Sequence, residues 1–167
     1  MTPTPVPTAP SPIILVGHVI WQGAPTQPSD RQQQPLTLTL KLGTTETNYP
    51  VQSTDASGNF TVSVAGLPSS TYQWRAKGPR FLANTGQVTL SGQALTGVEM
   101  GQMRAGDANN DNLVSTQDFN ILKATLGKGC GDPGYDTRAD FNNDCLVNTG
   151  DFNLLKGNLG LGGSPPL

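Results

Sequence analysis

Two stretches of the chain carry acidic and amide side chains at matching positions, and these are the residues best suited to do chemistry. The first, GDANNDNLVSTQDF, begins at Gly106, and the second, ADFNNDCLVNTGDF, begins at Ala139. Counted from Asp107 and from Asp140, oxygen-bearing side chains fall at places 1, 3, 5, 9 and 12 of each stretch. Ca²⁺ prefers about six to eight oxygen ligands, and this spacing turns them toward one point.

The sequence therefore predicts two calcium ions per chain, one in each loop, with place 7 contributing its backbone carbonyl. The predicted ligands are Asp107, Asn109, Asp111, Leu113, Ser115 and Asp118 in the first loop, and Asp140, Asn142, Asp144, Leu146, Asn148 and Asp151 in the second. The alternative is a pair of Asn/Asp-rich turns without metal, since these residues favour turns on their own. Three carboxylates in each loop would repel one another without a cation, which favours metal binding coupled to folding.

Each loop leads into a segment with helical spacing of apolar residues. We expect place 12 to open the helix, where a carboxylate is favoured. Apolar residues then recur at i, i+3 and i+7, which predicts one apolar stripe per helix, and glycine follows each stripe as a helix terminator. The stripes are Phe119, Leu122 and Leu126, then Phe152, Leu155 and Leu159, and the terminators are Gly127 and Gly160.

The elements before the repeats must be strands, because apolar residues alternate there with polar ones. PLTLTLKL from Pro35, NFTVSV from Asn59 and TYQWRA from Thr71 all show this period of two, and turn residues separate them. About seven short strands over residues 13–103 predict an all-β sandwich. Residues 1–12, rich in proline and threonine, are predicted to be a linker.

One part of this sandwich resembles a known family. The stretch TDASGNFTVSVAGLPSSTYQWRA, residues 54–76, is similar to the carboxypeptidase regulatory-like, or transthyretin-like, Ig-type modules. That resemblance implies a non-catalytic spacer or packing module. Stacking of Trp21, Trp74 and Tyr72 on a glycan is an alternative, although alternating strand positions favour core packing.

The repeated segment resembles the dockerin family. Aspartate, not glutamate, fills place 12, and no helical segment precedes either loop, as in dockerins. The predicted fold class is thus two-module: an all-β Ig-like sandwich followed by a small α dockerin-like domain, residues 104–161, with two EF-hand-type calcium loops and a tail at 162–167. The resemblance implies a cohesin-type protein module as partner. The contact residues it implies are Thr116, Gln117, Lys123, Ala124 and Lys128, and Thr149, Gly150, Lys156 and Gly157.

Those contact residues leave two questions open. A solvated helix face would also account for Lys123 and Lys156, and either one repeat or both could bind the partner. The resemblance suggests secreted or cell-surface enzymes of polysaccharide breakdown as cargo. The alternative function is a calcium-stabilised structural module at the end of a large surface protein, with no cohesin partner.

The two cysteines raise a separate question. Place 6 of a calcium loop favours glycine because the backbone turns through positive φ, and the chain has Asn112 and Cys145 there. A Pro/Thr linker suggests secretion, so we expect a Cys130–Cys145 disulfide. Two free thiols or a third metal site are the alternatives, and zinc lacks nearby histidine.

Composition excludes several functions. The formal net charge of −2 offers no basic patch for nucleic acid. No apolar run is long enough to predict a membrane span, and no basic segment precedes an apolar one as in a signal peptide, so we take the chain as a mature piece of a longer protein. The linker and the dockerin resemblance imply that this protein is extracellular or at the cell surface, of bacterial type. His18 is the only histidine, and its place in an apolar strand segment predicts a satisfied sheet residue. No hydrolase motif is present, so we expect no catalysis. We expect a monomer when the chain is free.

Overall fold

The computed structural model describes residues 12–167, so the predicted linker over residues 1–12 lies almost entirely outside the described residues. Eight strands form where about seven were expected. The strands are β1 (Ile14–Trp21), β2 (Pro35–Leu42), β3 (Thr45–Asn48), β4 (Gln52–Ser53), β5 (Asn59–Ser63), β6 (Ser70–Lys77), β7 (Asn84–Leu90) and β8 (Leu95–Met103). The helices are α1 (Thr116–Thr125) and α2 (Thr149–Asn158), with short 3₁₀ turns at Asp30–Gln32 and Thr137–Ala139.

The strands form two sheets. One has the order β5-β1-β8, in which β1 runs antiparallel to β5 and parallel to β8. The other has the order β3-β2-β6-β7, all antiparallel, and β4 pairs with the start of β2. The predicted all-β sandwich is therefore confirmed in its sheets and in the position of its main strands.

The apolar residues of the alternating strands point into the core, as a period of two requires. Leu36, Leu38 and Leu40 of β2 are each at most 1% exposed. Trp21, Trp74 and Tyr72, the aromatics considered for glycan stacking, are each at most 4% exposed. Core packing, not an exposed stacking platform for glycans, is the role of these aromatics.

His18 has a structural environment. It lies on β1, and its ring nitrogens pair with Glu99 on β8 and with the side chain of Gln27. Gln27 in turn donates to the carbonyl of Val19. The ring therefore helps to hold the loop after β1 against the sheet, in agreement with its predicted role as a satisfied sheet residue.

Each α-helix is short and capped at both ends. Ser115 and Asn148 are the N-caps, and each forms a capping box with the aspartate three residues later. Gly127 and Gly160, at φ +82° and +83°, follow the C-caps as the predicted terminators. Among residues 12–167, no helix is long and apolar enough to cross a membrane.

The third residue of each predicted stripe does not join the helix packing. Leu122 and Leu155 are buried, but Leu126 and Leu159 are 51% and 52% exposed. Each of these two leucines is a C-cap with φ −57° and ψ 130°, so the backbone leaves the helix before the stripe is complete. The prediction that they complete the apolar stripes is therefore wrong.

A single cluster of buried apolar residues runs from the sandwich into the repeats. It includes Trp21 and Phe81 of the β part, whose rings lie 4.6 Å apart, and Val114, Phe141 and Leu155 of the repeats. Polar contacts reinforce the junction. Asn158 of α2 donates to the side chain of Gln22 at 2.6 Å and to the carbonyl of Ala105 at 2.7 Å. The two parts therefore share one core.

Because the core is shared, we predict that the chain unfolds in one cooperative transition and that Phe141→Ala lowers its midpoint. Phe141 is fully buried, and truncation of a buried phenylalanine costs about 3–5 kcal/mol. At about 2–4 °C per kcal/mol, differential scanning calorimetry should show a loss of roughly 10 °C. Leu95→Ala, at an exposed leucine of β8, is the control and should leave the midpoint in place. Two separate transitions would contradict the shared core.

Candidate metal centres and docking surface

The first and last aspartates close the first loop. Asp107 and Asp118 are both fully buried. Asp118 accepts hydrogen bonds from the backbone nitrogens of Asn109 at 3.0 Å and Ser115 at 2.7 Å, so it joins the start of the loop to the helix that follows. Asp107 accepts from the nitrogen of Asn112 at 2.9 Å. The two carboxylates therefore hold the loop in a closed turn.

The second loop repeats this arrangement. Asp151 is fully buried and accepts from the nitrogens of Phe141 at 2.8 Å and Asn148 at 2.9 Å. Asp140 is 2% exposed and accepts from the nitrogen of Cys145 at 3.0 Å. Because both loops fold alike, the duplication seen in the sequence is also a duplication of geometry.

The remaining predicted ligands lie around these buried carboxylates. Places 3 and 5 are in contact, since Asn109 donates to Asp111 at 2.8 Å and Asn142 donates to Asp144 at 2.9 Å. The side chain at place 7 points to solvent in both loops, as expected where only the backbone carbonyl is needed. The structure thus brings places 1, 3, 5 and 12 of each loop into one turn.

Place 9 has a second role that the spacing did not reveal. Ser115 accepts from the nitrogen of Gln117 at 3.1 Å, and Asn148 accepts from that of Gly150, so both residues cap the following helix. The helix therefore begins at place 10, two residues before the predicted start, and place 12 is the third helical residue.

The backbone of each loop turns through positive φ twice. Place 6 does so at Asn112 (φ 71°) and Cys145 (φ 68°), as predicted. Place 4 does so as well, at Asn110 (φ 64°) and Asn143 (φ 57°), which the sequence analysis did not anticipate. Asparagine tolerates this region better than most residues, and its presence at place 4 of both repeats was the available signal.

The residues present fit a hard cation. Asp107 Oδ1 is buried and has no hydrogen-bond partner in the described structure, so a carboxylate oxygen is left free inside the first loop. Burial raises the pKa of Asp107 and of Asp151, because each carboxylate is held away from water. Within residues 12–167 no three acidic, histidine or cysteine side chains form a metal cluster by themselves. The predicted ligand sets also contain amide, hydroxyl and backbone carbonyl oxygens, which are donor types that calcium accepts.

The side chains at place 6 tether the two loops in different ways. Asn112 accepts from the nitrogen of Ala83 in the sandwich at 2.8 Å and donates to the carbonyl of Ser164 at 3.0 Å. Gly163 lies so close that a Cβ there would meet the Asn112 side chain. The first loop is thus fixed to the sandwich and to the C-terminal segment.

In the second loop the tether at place 6 is covalent. Cys145 forms a disulfide with Cys130, with the Cα atoms 5.0 Å apart, and no free cysteine remains among the described residues. The backbone adds a short bridge beside it, since the nitrogen of Cys130 donates to the carbonyl of Cys145 at 2.9 Å. The predicted disulfide is confirmed.

Each loop is also joined to the end of the other repeat. Gly127 donates to the carbonyl of Val147 at 2.8 Å, and Gly160 donates to that of Val114 at the same distance. The contacts are related by the internal duplication. A change in the conformation of one loop should therefore affect both helices.

Three side chains outside the predicted ligand set donate hydrogen bonds to the first residue of a loop. Lys77 donates to Asp107 Oδ2 at 2.8 Å, Tyr135 donates to Asp140 Oδ2 at 2.7 Å, and Arg80 donates to the backbone carbonyl of Asp140. Lys77 and Arg80 come from the sandwich, and no local sequence signal connects them with the loops.

The residues implied as partner contacts lie on the surface of the repeats. All of them are exposed except Gly150, which is half-buried. Between the helices an open apolar groove contains Phe119 and Phe152, whose ring centroids lie 6.0 Å apart. Thr116, Lys156 and Leu159 complete the groove with Leu155. We call this set of six residues the interhelical groove.

Comparison with known proteins agrees with this geometry. The family model of the dockerin type I domain matches residues 105–160. A chain of a type II cohesin–X-dockerin complex from Acetivibrio cellulolyticus, a C-terminal interface mutant, is similar with a TM-score of 0.69 and 16% identity, covering 90% of this chain and 97% of that one. A chain of an N-terminal interface mutant of the complex is similar with a TM-score of 0.67 and 18% identity, with the same coverage of both chains. No curated protein matches the chain.

These comparisons confirm the dockerin resemblance of the C-terminal repeats. The structural likeness extends over the sandwich and the repeats together and shows a shared fold. A dockerin domain is itself non-catalytic, and dockerin domains as a class bind calcium. Membership of the sandwich in the carboxypeptidase regulatory-like family stays a prediction.

Removal of calcium should reduce helical structure and spare the sheets. Each helix starts from a loop that we expect to need a cation for its buried aspartates, whereas the buried leucines of β2 need none. We expect EGTA to weaken the circular dichroism signal at 222 nm and excess calcium to restore it. Magnesium, which dehydrates reluctantly and demands octahedral geometry, serves as the control cation and should not restore it. An unchanged helical signal in EGTA would contradict coupled folding.

Reduction of the disulfide should destabilise the second loop. The Cys130–Cys145 bond closes a loop with a sequence separation of 15 residues, and such a cross-link contributes about 3 kcal/mol. The Cys130→Ser/Cys145→Ser variant should therefore melt several degrees below the parent chain and show faster amide exchange around residues 140–147. Equal midpoints for the variant and the oxidised parent would show that the bond contributes no stability.

Proposed function

We propose that this chain is a non-catalytic, calcium-dependent docking module that joins a secreted or cell-surface protein to a cohesin-type partner. The observation that carries the proposal is the dockerin type I match over residues 105–160, with every ligand place filled in both repeats. The similar solved structures come from cohesin–X-dockerin complexes, which supports a cohesin as the class of partner.

In this proposal the two loops each hold one calcium ion through the predicted ligands. The free oxygen of Asp107 and the burial of Asp118, Asp140 and Asp151 support that assignment. The bound cation offsets the repulsion among three carboxylates per loop. The chain itself positions the ligands through the hydrogen bonds that close the loops and through the tethers at place 6.

The docking face in this proposal is the interhelical groove with the exposed residues around it. An apolar centre with a polar rim is the usual arrangement of a protein interface. Lys156 and Thr116 border the apolar residues, and the predicted contacts at Gln117 and Gly157 lie nearby in the sequence. The sandwich, residues 13–103, serves as a non-catalytic support for this face.

The test is a binding measurement with purified cohesin modules of type I and type II, in calcium and in EGTA. Both types belong in the panel because the matched family is type I and the similar complexes are type II. We expect binding to at least one cohesin in calcium and none in EGTA.

A pair of surface variants locates the docking face. Leu159→Glu places a charge at the edge of the interhelical groove, at an exposed C-cap where the fold tolerates it. We expect at least tenfold weaker cohesin binding, the usual loss for a central interface residue. Leu95→Glu changes an equally exposed leucine on β8 and should bind like the parent. Equal binding by the two variants would place the interface elsewhere.

A chain that binds two calcium ions but no cohesin would favour the alternative, a calcium-stabilised structural module of a larger surface protein. The shared core and the tethers to the sandwich are compatible with that role as well, since they stabilise the end of the chain.

A further inference from the structure

Lys77 brings a buried positive charge from the sandwich to the first calcium loop. It is the last residue of β6, and its side chain is only 11% exposed. Its ammonium group donates to Asp107 Oδ2 at 2.8 Å, to Asn110 Oδ1 at 2.6 Å and to the carbonyl of Gly78 at 2.8 Å. All three donor positions are therefore used, and two of them are used on the loop.

The second loop has a neutral donor at the corresponding oxygen. Asp140 Oδ2 accepts from the hydroxyl of Tyr135 at 2.7 Å, and Tyr135 belongs to the connector between the repeats. In both loops the same oxygen also accepts from the backbone nitrogen of place 6. One difference between the two loops that matters for a cation is therefore the charge of the outer donor to place 1.

The other cationic side chains near the second loop do not reproduce this contact. Arg80 donates to the backbone carbonyls of Thr137 and Asp140, and its other amine donates to Gln34. Arg31 lies 3.7 Å from Asp144 in a partly exposed pair, where solvent screens the charge. Neither residue contacts the carboxylate at place 1.

We propose that Lys77 is a built-in counter-ion of the first loop, which makes the first loop the weaker calcium site and keeps it ordered when calcium is scarce. This inference rests on the proposed calcium ligands. The ammonium offsets one of three negative charges in the first loop and repels an incoming cation, whereas in the second loop no cationic side chain contacts the carboxylate at place 1. Loss of a hydrogen-bond partner of a metal ligand commonly costs about 10–100-fold in metal affinity, and a positively charged partner reverses that sign because it repels the cation.

The proposal makes calcium binding at the first site depend on the sandwich. Removing the charge at Lys77 should strengthen calcium binding there, because the cation no longer meets an ammonium group. The same change should destabilise the calcium-free chain, because Asp107 then lies buried without its counter-ion. Tighter calcium binding together with a less stable calcium-free chain distinguishes a counter-ion from a residue that only packs.

The experiment uses the full chain and three variants, Lys77→Met, Lys77→Gln and Lys77→Arg. Calcium is titrated into the decalcified protein by calorimetry, and melting temperatures are measured in EGTA and in saturating calcium. In Lys77→Met and Lys77→Gln we expect the weaker dissociation constant to fall on the order of tenfold. We also expect the calcium-induced rise in melting temperature to exceed that of the parent by several degrees. Lys77→Arg keeps the charge and should behave like the parent.

Two control variants test whether the change in the weaker dissociation constant belongs to the first loop. Lys41→Met removes a lysine that pairs with Glu46 within the sandwich, and it should change neither dissociation constant. Tyr135→Phe removes the outer donor of the second loop and should change only the tighter constant. A change of the weaker constant in Tyr135→Phe would overturn the assignment of the weaker site to the first loop.

The remaining outcomes separate this inference from the function on which it rests. If the parent binds two calcium ions and the weaker constant is unchanged or rises in Lys77→Met and Lys77→Gln, the counter-ion role is wrong and the proposed function stands. If Lys77→Met and Lys77→Gln lower the melting temperature equally in EGTA and in calcium, Lys77 only packs in the core and is not a counter-ion. A parent chain that binds no calcium would overturn both.

Discussion

The C-terminal half of this structure depends on the burial of four carboxylates. Asp107, Asp118, Asp140 and Asp151 are each at most 2% exposed, and they stand at the first and last places of the two loops. Burial of an ionised carboxylate is costly unless hydrogen bonds and an opposite charge compensate it. Backbone nitrogens supply the hydrogen bonds, and these bonds fix the turns, the capping boxes and the start of both helices.

The two repeats differ in the positive charge that compensates their buried carboxylates. In the proposed function each loop holds a cation, and the sandwich places an ammonium group on one loop while the other has a tyrosine hydroxyl and a disulfide. Duplication thus produced two loops of the same shape, and their surroundings made them unequal. The side chains at place 6 show the same divergence, because Asn112 reaches out to the sandwich and Cys145 is bonded within its own repeat.

The sandwich and the repeats are two modules in fold, and they pack on each other through one core. The buried apolar cluster is continuous, and Asn158 and Ser164 add polar contacts across the junction. The C-terminal segment takes part, since the nitrogen of Ser164 donates to the carbonyl of Ala83 at 2.8 Å. A rigid connection of this kind would present a docking face at a fixed angle to the strands.

Much of this arrangement could be predicted from local sequence patterns. The period of two in β2 gave the sandwich, and the spacing of oxygen-bearing residues gave the loops, because both signals lie within a few neighbouring residues. The positive φ at Cys145 followed from its glycine-type position, and the disulfide followed from the two cysteines and the secretion that the Pro/Thr linker suggests.

The failures were of two kinds. Leu126 and Leu159 fit a helical period, but the helices end one residue earlier, and boundaries depend on caps that periodicity does not describe. The contact of Lys77 with the first loop joins residues 30 positions apart in two different modules, so no local pattern contains it. Long-range polar partners of a site are set by the packing of whole elements.

The central claim is that each of the two loops holds one calcium ion. Native mass spectrometry of the oxidised chain, with calcium and then after exchange into chelator, counts the bound ions directly. We expect two calcium ions per chain, reduced to one when Asp140→Asn/Asp151→Asn removes the buried charges of the second loop. A parent chain that carries no calcium, or a variant that still carries two ions, would contradict it.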